Sequence, residues 1–481
     1  DYIEKIMADF DGPRTKLKHY SYNALNDVVN GNNVQTSFAR AAISGPDQLR
    51  QRTAFALSQI LVISRRDAGL KNRPLAVSKF YDRFVDQAFG NYYDILLDVS
   101  LDPCMGLYLS HVGNQPPDLA LNRFPDENYA REVMQLFSIG LWELNNDGTK
   151  KLDALGNPIP TYTNSQITEM ARVFTGLWYG KNPWGSGGSQ DNDFLVPMEM
   201  FADQHDFSEK ILLNGFVIPA RPVSQANGLQ DIRDAIRSLV EHPTCAPFIS
   251  KGLIQFLVTS NPTPAYVERI SNIFIDNGSG VRGDLKAVVT AILTDPDARD
   301  PGIAAGENFG LLREPVIRTM HLARLGKINR SGEALWWDNT FLEETFQAPY
   351  SAPTVFNFYR PDYTPPGALD AANLDGPVFE ITNSYTAVSV PNTLWDIIDD
   401  GFERGNSYQF TPDYSDLLPY AQNHEALIDN LNLLVCGGSM SATTRTKIKT
   451  ALDAIDPDDH SGRVRLAIYL AIMSPEGAIQ R

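Results

Sequence analysis

Apolar residues recur at helical spacing along most of this chain, and strand-like alternation is scarce. In residues 47–64, DQLRQRTAFALSQILVIS, the hydrophobic period is close to that of an α-helix, about 3.6 residues. One face of such a helix would carry Leu49, Thr53, Ala56, Leu57, Ile60 and Leu61. Gly45-Pro46-Asp47, just before them, is a typical helix start. The pattern predicts an amphipathic helix with its apolar face against a core.

Similar periodicity predicts most of the remaining fold. Further helices are expected over residues 78–100, 166–178, 228–241, 244–259, 265–277, 283–294, 311–325, 425–434, 441–454 and 463–473. Thr163 and Gln166 have the spacing of a capping box at the start of the second of these helices. We therefore predict an all-α or mainly helical fold, one large helical domain spanning residues 1–481.

Three segments interrupt the helical pattern. Residues 151–159 read as a short β-hairpin whose turn lies at residues 154–157. Residues 180–193, GKNPWGSGGSQDND, have the composition of a flexible loop. Residues 347–376 are rich in proline and aromatic residues, and their repeated X-Pro pairs favour extended backbone. Because the rings of this segment need burial, we expect it to wrap over the helical body.

Composition narrows the classes of protein that fit. The chain has 481 residues, of which 43% are hydrophobic, enough for a large core. It has 41 basic and 58 acidic residues, a formal charge of −17, which would repel nucleic acid. The three cysteines are widely spaced and lack a CxxC pair, so they predict neither a zinc site nor a disulfide framework. No apolar run approaches the roughly 20 residues of a membrane-spanning helix.

The first candidate site is a polar stripe within FPDENYAREVMQLFSIGL, residues 124–141. If a helix begins near Asp126 or Glu127, one face carries Asn128, Arg131, Glu132 and Gln135. The following helix adds two more charged residues, Glu169 and Arg172. Such a stripe is either the wall of a site or a buried salt-bridge network that sets the helix register.

In the first interpretation the stripe has catalytic roles. Glu132 and Glu169 are then the general acid and base, since burial can separate the pKa values of two carboxyl groups. Arg131 and Arg172 would orient an anionic group of the substrate. Asn128 and Gln135 would contribute further hydrogen bonds to it. The sequence leaves open whether the protein is an enzyme.

The second candidate lies in FADQHDFSEK, residues 201–210, beyond the glycine-rich loop. His205 between Asp203 and Asp206 is typical of a divalent-cation ligand or of a base held by a carboxylate. Asp206 and Lys210 would contact the substrate, Lys210 through its positive charge. The alternative is a surface turn in which Asp206 caps the residues that follow.

A third candidate is a loop of oxygen donors around Gly148, with Asp147 and Asp153 as the possible ligands. Calcium favours such loops, although the full twelve-residue pattern with its final glutamate is not present. An ordinary Asn-Asp-Gly turn is the alternative. No cofactor is otherwise indicated, so a divalent cation such as calcium is the one candidate.

Several segments, in order, are similar to those of one bacterial family. They are LRQRTAFALSQILVIS at 49–64, PDENYAREVMQLFSIGL at 125–141, ITEMARVFTG at 167–176, HDFSEKILLNG at 205–215, PTVFNFYRPDYTPPG at 353–367 and SPEGAIQR at 474–481. Together they resemble the family called domain of unknown function 1800, over nearly the whole chain. One departure is Asp102, where the family more often has histidine before proline. The part before Leu49 is shorter than the family's, which predicts a truncated or processed N-terminus.

The resemblance implies a cellular location and a partner rather than a chemical reaction. Members are similar to exported proteins and are often encoded beside a sulfatase-like family, domain of unknown function 1501. We therefore expect a periplasmic or extracellular protein with such a partner. Our leading hypothesis is a hydrolase or lyase acting on an extracellular anionic or carbohydrate substrate. The alternative is a non-catalytic structural or assembly protein of the cell surface. Substrate, oligomeric state and metal content are not determined by the sequence.

Overall fold

A computed structural model describes residues 12–17, 33–189, 191–327, 344–404 and 408–481. Within these ranges the chain is mainly helical, which confirms the predicted fold class. The longer helices are α1 (Asn33–Ser44), α2 (Gln48–Ile60), α3 (Pro74–Gln87), α4 (Tyr92–Ser100), α5 (Pro103–Tyr108), α6 (Asn128–Gln135), α7 (Asn164–Val173), α8 (Gln225–Glu241), α9 (Cys245–Leu257), α10 (Pro264–Ile275), α11 (Leu285–Thr294), α12 (Pro315–Leu325), α13 (Thr386–Asp399), α14 (His424–Cys436), α15 (Ala442–Asp453) and α16 (His460–Met473).

Single turns of helix and short strands connect these elements. The strands of the described chain are β1 (Leu177–Trp178), β2 (Glu199–Met200), β3 (Lys210–Ile211), β4 (Val217–Ile218), β5 (Leu311–Leu312), β6 (Phe402–Arg404), β7 (Tyr408–Phe410) and β8 (Ile479–Gln480). They form antiparallel pairs: β1 with β2, β3 with β4, β5 with β8 and β6 with β7. Single helical turns lie at Pro296–Arg299, Pro301–Ala304, Ala368–Ala371 and Pro475–Ala478. None of the described helices is long and apolar enough to cross a membrane.

The predicted helix over residues 78–100 is wrong in its continuity, because the chain breaks between α3 and α4. Asn91 caps α4: its side chain accepts a hydrogen bond from the backbone N–H of Tyr93. The Asn91 Nδ2 atom donates to the carbonyl of Arg282, and Tyr92 N–H donates to the carbonyl of Gly283. Asparagine is more favourable at the cap position than inside a helix. The same residues at the break bind the loop that precedes α11.

The start of the predicted helix over residues 311–325 is also wrong. Leu311 and Leu312 form β5, which pairs with β8 near the C-terminus. The helix begins only at Pro315, where proline is favoured because its missing N–H would be unpaired in the first turn anyway. Periodicity did not predict α1, α5 or α13, and α13 contains Pro391 inside the helix.

The predicted hairpin at residues 151–159 is present. Leu152 pairs with Pro158, and the N–H of Asp153 donates to the carbonyl of Asn157. The hairpin is part of a larger arrangement, because residues 141–145 pair with both of its arms through Trp142–Pro160 and Leu144–Lys150 bridges. The three segments project Leu155 into solvent at 87% exposure.

The proline-rich segment follows the predicted irregular course apart from one helical turn at Ala368–Ala371. Tyr350 and Tyr359 are buried, whereas Phe356 is largely exposed. Asn357 and Tyr359 both donate hydrogen bonds to Oε1 of Gln59, in α2. The segment is therefore attached to the helical body through buried polar contacts as well as through its rings.

Candidate functional site

Helix α6 carries the predicted polar stripe, and its start is anchored by hydrogen bonds. Oδ1 of Asp126 accepts from the backbone N–H of Asn128. The side chain of Asn114 bonds both the N–H and the carbonyl of Asp126. The helix packs against α7, which carries Glu169 and Arg172. The segment therefore enters α6 in one defined orientation.

The members of the stripe differ sharply in exposure. Asn128 is exposed, Arg131 and Gln135 are partly exposed, and Glu132 is only 6% exposed. Within the described residues, Oε2 of Glu132 is buried and has no hydrogen-bond partner. Burial raises the pKa of Glu132, and the positive charge of Arg131 only partly opposes this. A buried, unpaired carboxyl group is unusual, because it costs stability without a compensating contact.

Two tyrosines lie within electrostatic range of Glu132. Burial raises the pKa of Tyr108 to about 12, and the negative charges of Asp67 and Glu132 act in the same direction. Burial also raises the pKa of Tyr162, where Arg131 opposes and Glu132 reinforces the shift. Both tyrosines are partly exposed. The buried carboxyl group thus lies among side chains that reach the surface.

Hydrogen bonds and an ion pair hold some of the side chains around Glu132 in place. The hydroxyl of Tyr162 donates to Oε1 of Gln135 over 3.1 Å. Arg131 Nη2 lies 3.7 Å from Oε2 of Glu127, with both side chains about 40% exposed. Oε1 of Glu127 accepts from Thr168 in α7. We call Glu132, Arg131, Gln135, Tyr108 and Tyr162 the Glu132 site.

Glu169 and Arg172 belong to a different group of contacts. Arg172 Nη1 lies 2.6 Å from a carboxylate oxygen of Glu169, and its Nε donates to Oδ2 of Asp206 over 2.7 Å. Arg172 Nη2 also donates to the carbonyl of Glu209. These contacts satisfy Arg172 on several sides. They match the salt-bridge alternative for this half of the stripe.

Asp206 is stabilised as a carboxylate. Burial alone would raise its pKa, but hydrogen bonds from Arg172 and Ser208 lower it to about 2. Its Oδ1 accepts from the backbone N–H of Ser208, as in the predicted capping turn. Its own N–H donates to the hydroxyl of Thr175. Asp206 therefore joins the residues after α7 to the segment before β3.

His205 and Lys210 meet at a residue that the sequence did not single out, Asp231 of α8. His205 Nε2 lies 3.2 Å from Oδ2 of Asp231, and Lys210 Nζ donates to the same oxygen over 2.9 Å. All three side chains are fully buried. Arg221 Nε lies 2.7 Å from Oδ1 of Asp231 and completes the cluster. Burial would raise the pKa of Asp231, but bonds from His205 and Lys210 lower it.

One sequence signal points to Asp231. It falls three residues after Gly228 and four before Ala235, on the apolar face of α8. A carboxylate on the buried face of an amphipathic helix needs a partner, since an unpaired buried charge is very costly. The partners come from residues 205–221, and helical periodicity does not identify them.

The predicted metal ligands are each engaged in separate contacts. Asp203 is exposed and accepts from Gln204, whereas His205 and Asp206 belong to the two networks just described. Asp147 accepts from the N–H and hydroxyl of Thr149. Asp153 accepts from the N–H groups of Leu155 and Asn157, a turn like that at Asp147. In the described parts of the chain, no three His, Cys, Asp or Glu side chains are grouped for a metal ion.

Asp102, the departure from the family pattern, has a structural role. Oδ1 accepts from the N–H of Cys104 at the start of α5, and Oδ2 lies 2.6 Å from Arg83. Nearby His111 stacks on Tyr129 with ring centroids 3.9 Å apart, and burial lowers its pKa to about 4. The three cysteines are buried and unbridged. Tyr129 is buried on α6, the helix that carries Glu132.

Comparison with known proteins gives a family and no closer identity. No curated protein and no solved structure matches this chain. The sequence pattern of one family, described as "Protein of unknown function (DUF1800)", matches residues 14–478. Because the match covers nearly the whole chain, this protein belongs to the DUF1800 family.

Proposed function

We propose that the protein is a hydrolase or lyase acting on an extracellular anionic or carbohydrate substrate, with Glu132 as its general acid. The observation that carries the proposal is Oε2 of Glu132, which is buried and has no partner in the described chain, in a carboxyl group whose pKa is raised by burial. Carboxyl groups whose pKa is shifted by burial, beside partly exposed polar side chains, are candidates for catalytic sites. A structural carboxylate would normally have a partner.

The surrounding residues supply the remaining chemistry in this proposal. A carboxyl group with a raised pKa holds its proton closer to neutral pH and can donate it to a leaving-group oxygen. The guanidinium of Arg131 is 41% exposed and would hold an oxygen-rich group of the substrate. Tyr108 and Tyr162 remain protonated donors, because burial raises the pKa of both. Asn128, exposed one turn before Glu132, would contact the substrate from the rim.

The proposal gives Glu169, Arg172, His205, Asp206 and Lys210 a supporting role. Their charges are engaged with each other and with Asp231. Their network would keep α7 and α8 in place behind the site. Export and a sulfatase-like partner are also parts of the proposal, supported by the family resemblance alone.

A non-catalytic scaffold is the second candidate, and the same closed network favours it. Arg172 and Asp231 each bind several partners, as expected of residues that set the arrangement of helices. In a pure scaffold the carboxyl group of Glu132 has no purpose. The two candidates therefore differ in what removal of that group should do.

The deciding experiment is Glu132→Gln, which keeps the shape and removes the acidic proton. The free energy of unfolding should stay within about 1 kcal/mol of the native value, because no described hydrogen bond is lost. Turnover, found by screening glycosides and phosphate, sulfate and carboxylic esters, should be abolished. Stability and activity are then separated.

Glu314 offers a matched control. It is also buried, at 3% exposure, but its carboxylate accepts hydrogen bonds from Gln59 and Gln347. Glu314→Gln should lower the free energy of unfolding by about 1–3 kcal/mol. If Glu132→Gln were equally destabilising, or left the turnover unchanged, the catalytic proposal would be wrong.

A further inference from the structure

We infer that Trp178, Trp184 and Phe201 form a binding surface for an uncharged polysaccharide. We call these three rings the aromatic surface. They lie on β1, on the glycine-rich loop after it and just beyond β2. The inference goes beyond the proposed chemistry at Glu132 and does not depend on it.

The three rings form a continuous row. The ring centroids of Trp178 and Trp184 are 5.1 Å apart at an angle of 44°, and those of Trp184 and Phe201 are 5.7 Å apart at 58°. All three residues are partly exposed. Beneath them lie two buried rings, because Tyr179 packs against both Trp178 and Phe194. The surface rings therefore rest on a buried aromatic layer.

Hydrogen bonds fix the loop that carries Trp184. Trp178 Nε1 donates to the carbonyl of Ser186 over 2.6 Å. Arg73 donates from Nη2 to the carbonyl of Gly188, and its guanidinium lies 4.1 Å from the centroid of the Phe194 ring. Gly113 lies against Trp178, where a Cβ would come within 2.8 Å of the ring. The surface is thus arranged before any ligand binds, which lowers the entropic cost of binding.

A chain of polar side chains begins beside Phe201. The backbone N–H of Gln204 donates to the carbonyl of Phe201. Gln204 donates from its side chain to Asp203 and accepts from Gln115, which in turn accepts from Arg123. The members of this chain are partly or fully exposed. Amide, carboxylate and guanidinium groups therefore lie next to the aromatic surface and reach solvent.

This combination matches the chemistry of a sugar ring. A pyranose presents C–H groups on its faces, which the electron-rich face of an aromatic ring attracts. Its hydroxyl groups donate and accept, as amide and carboxylate side chains require. An apolar peptide would displace water from these exposed polar side chains without offering hydrogen bonds in its place. An anionic polymer would be repelled by the net charge of −17. An uncharged polysaccharide can stack on the aromatic surface and hydrogen-bond the polar side chains beside it.

The test is affinity electrophoresis of the whole protein in gels containing a soluble neutral polysaccharide, such as a β-glucan, xylan or galactomannan. Parallel gels contain alginate or polygalacturonate. The native protein should be retarded by a neutral polymer and not by the acidic ones. Trp184→Ala should weaken this binding about tenfold, as expected for loss of one stacked ring. Trp184→Phe keeps a ring and should lose less.

Trp395 supplies the matched control. It is also partly exposed and contacts Tyr469 with ring centroids 5.3 Å apart, but it lies on α13. Trp395→Ala should bind as the native protein does. Gln204→Ala tests the polar chain without altering a ring, and it should weaken binding as well.

Three results would overturn the inference. They are native protein that no neutral polysaccharide retards, stronger retardation by an acidic polymer, and equal losses in Trp184→Ala and Trp395→Ala. Failure of the catalytic proposal is distinguishable, because Glu132→Gln should leave polysaccharide binding unchanged. If Trp184→Ala proves unfolded by circular dichroism, Trp184→Phe and Gln204→Ala decide the question.

Discussion

Lys210 donates a hydrogen bond to Asp231 over 2.9 Å, and neither side chain is accessible to solvent. The pair joins β3 to α8 across 21 positions of the chain. Two charges in so dry a place are tolerated only because His205 and Arg221 also contact the carboxylate and Ser208 accepts a further bond from Lys210. This cluster joins two of the residues that the sequence marked as candidates for chemistry, His205 and Lys210.

Removal of one partner from the buried pair should be strongly destabilising. Asp231→Asn leaves the ammonium group of Lys210 without its counter-charge, at an expected cost of about 3–5 kcal/mol in the free energy of unfolding. Guanidinium denaturation measures the loss. Lys449→Met is the control, because its ion pair with Glu425 is exposed and its removal should leave stability unchanged. A loss in Asp231→Asn no larger than the control's would contradict this account.

Acid should weaken the protein through Asp206. Its pKa in the folded state is about 2, below that of an ordinary aspartate, so folding favours the carboxylate. The contribution is complete above the unfolded pKa, near 4, and disappears as pH falls through about 2. Its size is about 2 kcal/mol, because the pKa falls from its ordinary value near 4 to about 2 on folding. Urea denaturation between pH 5 and 2 should show this loss in the native protein and a shallower one in Asp206→Asn.

The pH dependence arising from Glu132 has the opposite sign. Its pKa is raised on folding, so the folded state binds the extra proton and stability falls as pH rises from the unfolded to the folded pKa. Glu132→Gln cannot ionise. The free energy of unfolding of the variant, relative to that of the native protein, should therefore increase between the unfolded and folded pKa values of Glu132. Above the folded pKa the difference should stay constant. Paired denaturation series measure the difference, and a constant difference at every pH would show that the pKa is not raised.

Gln59 should be essential for attachment of the proline-rich segment. It accepts from Asn357 and Tyr359 and donates to Glu314, all in the interior. Gln59→Leu removes the acceptor of Asn357 and Tyr359 and one of the two donors to Glu314, which should lower the free energy of unfolding by at least about 2 kcal/mol. Hydrogen exchange should accelerate first in residues 354–360. An unchanged free energy of unfolding in Gln59→Leu, or hydrogen exchange that accelerates equally throughout the chain, would argue against the network.

Local patterns in the sequence were sufficient for much of the secondary structure. Apolar spacing predicted α8 as residues 228–241, where the helix spans Gln225–Glu241, and the Thr163–Gln166 capping box is present at α7. The turn of the 151–159 hairpin followed from its residues. These features depend on contacts within a few positions of the chain, so the necessary information lies in short windows. Family membership likewise followed from short motifs in order.

The sequence by itself determined the fold class, most helices, the family and the residues on which chemistry was expected. Only the tertiary structure decided which of those residues are paired. Glu132 and Arg131 are neighbours on α6, yet one is buried without a described partner and the other reaches solvent. Lys210, on β3, is buried because it pairs with Asp231 of α8. Burial and charge pairing depend on contacts with segments that are distant in the chain. The hydrophobic period of a single helix does not show which segment packs against it.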